Sequence, residues 1–154
     1  MGLKISNSLD RYRQRMANYD SDVAVVGGAL DVAAGSTSGA GAIVQFFGDV
    51  RPLENGEPID GIEYEAHQQM AEHQLQKIAD EAAERFGLLA IRLHHRVGFV
   101  AVGETSLLLR VAAAHRGAAF DASRWIVDEL KKRVPIWKSI RVGSDKAKKR
   151  AVLA

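Results

Sequence analysis

The stretch Thr105-Ser106-Leu107-Leu108-Leu109-Arg110-Val111-Ala112-Ala113-Ala114-His115-Arg116-Gly117 decides the reading of this chain. Seven of its first ten residues are apolar, which predicts a long central strand. The run stops at His115 and Arg116. From Gly117 to Val134 the pattern turns helical, with a predicted buried stripe of Phe120, Val127, Leu130 and Val134. Pro135 must end that helix, because it lacks the amide donor and restricts the residue before it. Ile136 to Val142 then reads as a last strand.

Upstream, Met70, Leu75, Ile78, Ala82 and Phe86 mark one face of a helix over Gln68–Phe86, with Gly87 as its C-cap. Leu88 to Val97 reads as a strand ending in Gly98. Before the helix, Ala42 to Phe47 predicts a strand stopping at Gly48. A loop from Pro52 to Pro58, containing Asn55-Gly56, turns the chain into a strand over Ile59–Ala66. Val23 to Val26 is a short β-branched run, and Gly35 to Gly39 reads as a loop. Ile5, Leu9, Tyr12, Met16 and Tyr19 have helical spacing, which fits an amphipathic helix or a loosely held extension. This order argues for a single-domain α+β sandwich of antiparallel or mixed strands with two main helices. The expected divisions are an N-terminal extension over 1–22, a body over 23–142 and a basic tail over 143–154.

At 154 residues the chain is long enough to fold on an ordinary core. It has no cysteine, which excludes disulfides, a catalytic thiol and a persulfide carried on this chain. No apolar run approaches the roughly 20 residues a membrane span needs, and the N-terminus lacks a signal-peptide core, so a soluble cytoplasmic protein is expected. The net charge of +2 is small and the charges are interleaved. The exception is the tail, where Lys146, Lys148, Lys149 and Arg150 read as a frayed, solubilising end. An RNA-binding domain would rest on that tail alone and lacks the exposed aromatics that stacking requires. His94 and His95 point to opposite faces of one strand, and no HExxH occurs, so no metal and no resident cofactor are expected. The glycines between 35 and 41 contain no GxGxxG and no Gly-Lys-Ser/Thr, and no GxSxG elbow is present.

What remains is a set of cations at element ends. Lys131, Lys132 and Arg133 occupy a last helical turn, where they offset the macrodipole. Lys138 lies beyond the helix, after Trp137, and a reversal at Val134-Pro135 would bring it near Lys131. Two lysines held together lower one another's proton affinity, and a lysine so tuned acts as a general acid or base. His115 and Arg116 precede a helix start, where free amides favour an anion. Arg51 follows Phe47-Gly48 at a comparable strand end. Together these residues predict an anion-holding cluster.

The ordered set Gly41–Gly48 leading to Val50-Arg51, Ile62-Glu63-Tyr64-Glu65-Ala66, His95-Arg96-Val97-Gly98, Val102-Gly103-Glu104, Ala114-His115-Arg116, Ala119-Phe120, Leu130-Lys131 and Pro135-Ile136-Trp137-Lys138 resembles the MoaE family, the large catalytic subunit of molybdopterin synthase. The resemblance spans about Val23 to Lys138. It implies an α/β hammerhead-type fold that forms a homodimer, with a small ubiquitin-like sulfur carrier of MoaD type at each end of a heterotetramer. That partner inserts a Gly-Gly thiocarboxylate, and cyclic pyranopterin monophosphate receives two sulfurs to become the molybdopterin dithiolene. The substrate-binding positions it implies are Asp49, Val50, Arg51, His115, Arg116, Lys131, Lys138, Ser139 and Ile140, with Lys131 and Lys138 catalytic. Asp49 departs from the basic or small polar residue common in the family. After Lys138 the usual basic residue, glutamate and later tryptophan are replaced by Ser139-Ile140-Arg141 and a basic tail. The alternative from another class is a catalytically silent paralogue acting as an anion-binding or scaffold protein.

Overall fold

The structure, a computed structural model, describes residues 8–33, 35–143 and 146–152, with Arg15 and the last stretch as backbone only. The N-terminal part of the predicted extension, including Ile5, lies outside the described residues, as do residues 144, 145, 153 and 154 of the predicted tail. In chain order the elements are α1 (Ser8–Ala17), β1 (Asp20–Val26), β2 (Ala42–Asp49), β3 (Leu53–Glu54), β4 (Glu57–Pro58), β5 (Gly61–Ala66), α2 (Gln68–Phe86), β6 (Ala90–Arg96), β7 (Gly98–Ala101), β8 (Thr105–Ala113), α3 (Arg116–Arg133), β9 (Ile136–Val142) and β10 (Lys146–Val152).

The strands form two four-stranded sheets and a small hairpin. The first sheet has the order β1-β6-β8-β2, with β1 parallel to β6 and the other pairs antiparallel. The apolar strand β8 is therefore internal, as its composition requires. The second sheet runs β10-β9-β5-β7, all antiparallel. The architecture is mixed α+β in a single domain.

α2 and α3 pack against each other, α2 also against β1 and β6, and α3 against β8 and β2. Leu75, Ile78, Ile126 and Leu130 from the helices meet Ile91, Leu93, Leu109 and Val111 from the sheet in one buried core. On α3 the expected stripe is buried at Leu130 and Val134, but its first half differs from the sequence expectation. Phe120 is 62 % exposed and Val127 only partly buried, while Ala119, Ala122, Ser123, Ile126 and Leu130 face inward. Small residues at 119, 122 and 123 let the helix approach the sheet closely, so the largest side chain is a poor guide to the buried face. The same holds for α2, where Met70 is exposed and Ala71, Ala79 and Ala83 are buried.

Two further elements were not legible as strands. Gly98–Ala101 forms β7 against β5, and the loop Pro52–Pro58 is itself a hairpin, β3–β4. Its turn residues Asn55 and Gly56 have φ of 52° and 80°, the left-handed pair that a two-residue hairpin turn demands. The basic segment expected as a frayed end pairs, over Lys146–Val152, antiparallel with β9.

Candidate active site

Three of the expected cations, Lys131, Lys132 and Arg133, occupy the last turn of α3. Lys131 lies in the last turn and is exposed, with no hydrogen bond or ion pair among the described residues. Its neighbours are committed elsewhere. Lys132 Nζ bonds Glu129 Oε1 at 3.2 Å, and Arg133 donates through both terminal nitrogens to Glu81 on α2, at 2.8 and 2.9 Å. The helix-capping reading thus describes Lys132 and Arg133, which tie down the helix end, and sets Lys131 apart.

Across the Val134-Pro135 corner, Lys138 is the third residue of β9 and is paired with Tyr64 of β5 in register. Its Nζ donates to Glu54 Oε1 at 3.2 Å, and Arg51 Nη2 approaches Glu54 Oε2 at 3.4 Å. Lys138 was expected beside Lys131; the interaction the structure gives it is with a carboxylate. Glu54 was missed in the sequence because a lone acid in a turn segment carries no chemical signature. Its side chain is 14 % exposed. Burial pushes the carboxyl up, but the Lys138 hydrogen bond and charge, with those of Arg51, outweigh this and hold it below the usual carboxylate range.

A buried polar chain stands behind Lys138. The Tyr64 hydroxyl donates to Ser106 Oγ at 3.3 Å, and Ser106 donates to the Gly48 carbonyl at 3.0 Å. His95 packs edge-on to Tyr64, with ring centroids 5.2 Å apart, and its Nδ1 lies 2.8 Å from the Arg96 carbonyl. A carbonyl can only accept, so Nδ1 carries the proton. Burial pushes the His95 pKa down to about 4, against the opposing effect of that hydrogen bond. Near neutral pH the ring is uncharged.

Asp49 accepts from Thr105 Oγ1 at 2.7 Å at the end of the β2–β8 ladder. Val50 is buried, its amide bonded to Glu104 O and its carbonyl to Gly103 N, so it fixes the backbone between Asp49 and Arg51. Ser139 is opposite Glu63 and Arg150 in register, and Ile140 is opposite Ile62 and packs on the core.

His115 and Arg116 lie elsewhere. They line, with Gly41, Ala114 and Gly117, an open cleft of about 550 Å³ at the start of α3. His115 is the N-cap but makes no side-chain cap bond, and no acid occupies the first turn, so the first amides of the helix face this cleft side without a capping side chain. Gly41 closes the wall. A Cβ there would stand 2.1 Å from the Ala114 carbonyl, so only glycine permits the approach.

The anion cluster expected from sequence is therefore split within one chain. Fifteen helical steps separate Arg116 from Lys131, roughly 22 Å at about 1.5 Å per residue. The antiparallel ladder agrees: Ala42 pairs with Ala113 at the His115 end, and Asp49 pairs with Thr105 at the Arg51 end, about seven strand steps or roughly 23 Å away.

Residues 21–133 match the sequence profile of the family described as "MoaE protein". The chain belongs to the MoaE family. The matched span includes Arg51, Glu54, His115, Arg116 and Lys131, and stops before Lys138 and β10. Among MoaE relatives, the "Molybdopterin synthase catalytic subunit" of Pyrococcus abyssi is 45 % identical over 103 residues, covering 67 % of this chain and 70 % of that protein. A crystal structure of molybdopterin synthase from Staphylococcus aureus superposes with a TM-score of 0.74 at 28 % identity, covering 81 % of this chain and 94 % of the other. A chain in the "Protein-protein complex of subunit 1 and 2 of Molybdopterin-converting factor" from Helicobacter pylori shares the fold, with a TM-score of 0.66 at 22 % identity and coverages of 80 % and 87 %. Among the described residues no helix is long and apolar enough to cross a membrane, and no group of three or more acids and histidines forms a metal site.

Proposed function

We propose that this chain is the catalytic subunit of a molybdopterin synthase. It takes sulfur from the C-terminal thiocarboxylate of a small ubiquitin-like carrier and transfers it to cyclic pyranopterin monophosphate, building the dithiolene of molybdopterin in the cytoplasm. The observation that supports this reading is the pairing of Lys138 and Arg51 on one carboxylate, Glu54, in a chain that carries Lys131 at the end of α3 and is 45 % identical to a molybdopterin synthase catalytic subunit. Both the phosphate of the substrate and the tail of the donor are anions, and such cations stabilise them. The sulfur must arrive on a partner, since the chain has no cysteine.

Lys131, free of ion pairs among the described residues, serves as general acid and base, protonating the oxygen that leaves as sulfur adds. Lys138 and Arg51 hold the anions. His115 and Arg116 cannot reach Lys131 of their own chain across roughly 22 Å. In a homodimer a second copy supplies them, so that the α3 start of one protomer faces the α3 end of the other. With one carrier at each such site the assembly is a heterotetramer.

The test is a reconstituted reaction of the chain, a thiocarboxylated carrier and cyclic pyranopterin monophosphate, with the dithiolene product read as its fluorescent oxidised derivative. Product formation that is lost in Lys131→Ala supports the synthase. No product with a carrier that binds would leave a silent anion-binding paralogue.

A further inference from the structure

Glu54 is the only acid among the described residues bonded to two of the cations assigned to the site. Its Oε1 accepts from Lys138 Nζ at 3.2 Å and its Oε2 faces Arg51 Nη2 at 3.4 Å, so each carboxylate oxygen serves one cation. The residue is held in place by construction. It sits on β3, one residue before the left-handed Asn55-Gly56 turn, and the β3–β4 pairing fixes its backbone. Its side chain is less exposed than either partner, at 14 % against 25 % for Lys138 and 77 % for Arg51. A half-buried lysine next to a tyrosine and a buried polar chain needs an anionic partner, and Glu54 is the one the protein itself provides.

We propose that Glu54 is a positioning residue that acts as an internal counter-anion. Its carboxylate holds Lys138 ready and is exchanged, oxygen for oxygen, for the incoming oxyanion. This deepens the synthase reading and rests on it for the identity of that oxyanion, which is either the donor's C-terminal carboxylate or the substrate's phosphate. The exchange involves no covalent step. A charge-assisted hydrogen bond to Lys138 is given up and an equivalent one is formed, so binding is nearly isoenergetic at this residue and product leaves as readily as substrate enters. Without the Glu54 charge, Lys138 would hold any oxyanion more tightly, whereas Arg51, 77 % exposed, is largely screened by solvent whether paired or not.

The experiment is calorimetric titration of the full chain with two separate probes, inorganic phosphate and a short peptide ending in Gly-Gly with a free carboxylate. The wild type, Glu54→Gln, Lys138→Ala and the double variant form a cycle. Glu54→Gln should bind at least one probe roughly fivefold more tightly, and in the Lys138→Ala background the same substitution should change affinity less than twofold. Tightening for the peptide assigns the exchange to the donor tail; tightening for phosphate assigns it to the substrate. Unchanged or weaker binding of both probes by a folded Glu54→Gln chain overturns the proposal, as does tightening that survives Lys138→Ala. Glu54→Asp, which keeps the charge but withdraws it by one methylene, gives an intermediate affinity and a second route should the amide variant fold poorly. The readout is independent of turnover. A chain that shows the cycle but makes no dithiolene keeps the counter-anion and loses the synthase; one that makes dithiolene without the cycle loses only the counter-anion.

Discussion

The two ends of α3 present positive charge by different means. At the start, His115 leaves the helix uncapped by side chain, and the attraction comes from backbone amides and the dipole, reinforced by Arg116. At the end, the dipole is offset by Lys132 and Arg133, both tied to glutamates, and the uncommitted charge is Lys131. The first end borders an open cleft built on Gly41; the second leads into β9, where Lys138 already has a carboxylate partner. The difference shows that the two termini of one helix present cations in different settings, an imidazole and a guanidinium beside uncapped amides at the start and a lysine without an ion pair among the described residues at the end.

The sharpest way to break this contrast is to remove one charge at each end. Lys131→Ala should lower the rate of dithiolene formation by at least about 100-fold, the range for a lost general acid, while thermal unfolding stays unchanged. Near-normal turnover would remove Lys131 from the chemistry. If the two ends meet only between protomers, chains carrying Lys131→Ala and chains carrying Arg116→Ala, each inactive alone, should regain activity when unfolded and refolded together. Random pairing leaves about a quarter of the sites with both residues intact. No recovery from a verified mixed dimer would mean that the ends do not share a site.

Gly41→Ala tests the architecture of the cleft. With a Cβ 2.1 Å from the Ala114 carbonyl, either β2 or the His115 segment must shift, and a loss of about 2–4 kcal/mol in urea unfolding is expected, with anion binding at the α3 start impaired. An unchanged midpoint would show that the wall yields at little cost.

The other end carries a pH dependence. His95 has its pKa depressed by burial to about 4, so the unfolded chain binds this proton more readily than the folded one. The stability due to neutral His95 is complete above the unfolded value near 6.5 and is lost as pH falls from there toward 4. The carboxyls of Glu54 and Glu81, also held below their ordinary values, act in the same direction but at lower pH. Denaturant midpoints should therefore fall between pH 6.5 and 4.5, and His95→Gln should flatten that slope. A slope unaltered by the substitution would assign it to another group. The smallest effect is expected at Lys132→Ala, which removes an exposed pair with Glu129; turnover should change less than about twofold.

Much of the fold was legible because its elements are strongly patterned. α2 runs over the residues its periodicity indicated and ends at Gly87, and β9 begins after Pro135 as the proline requires. β7 was not legible because four residues, Gly98 to Ala101, are too short to show alternation, and their pairing depends on β5 arriving alongside. On α3 the expectation held at Leu130 and Val134 and failed at Phe120, because alanine and serine carry little hydrophobic weight in a sequence but determine how closely a helix can approach a sheet.

By itself the sequence determined the composition of the site: a cysteine-free chain with cations at three element ends, Arg51, His115-Arg116 and Lys131 to Lys138, in the order of the MoaE family. Only the tertiary structure decided which of them stand together. An 18-residue helix and an antiparallel ladder convert sequence position into distance, and they carry His115 and Arg116 away from Lys131, Lys138 and Arg51. It also decided that Glu54, from a two-residue strand 84 positions before Lys138, is that lysine's partner. A hydrogen bond depends on where side chains meet, and no local pattern encodes a meeting between such distant segments.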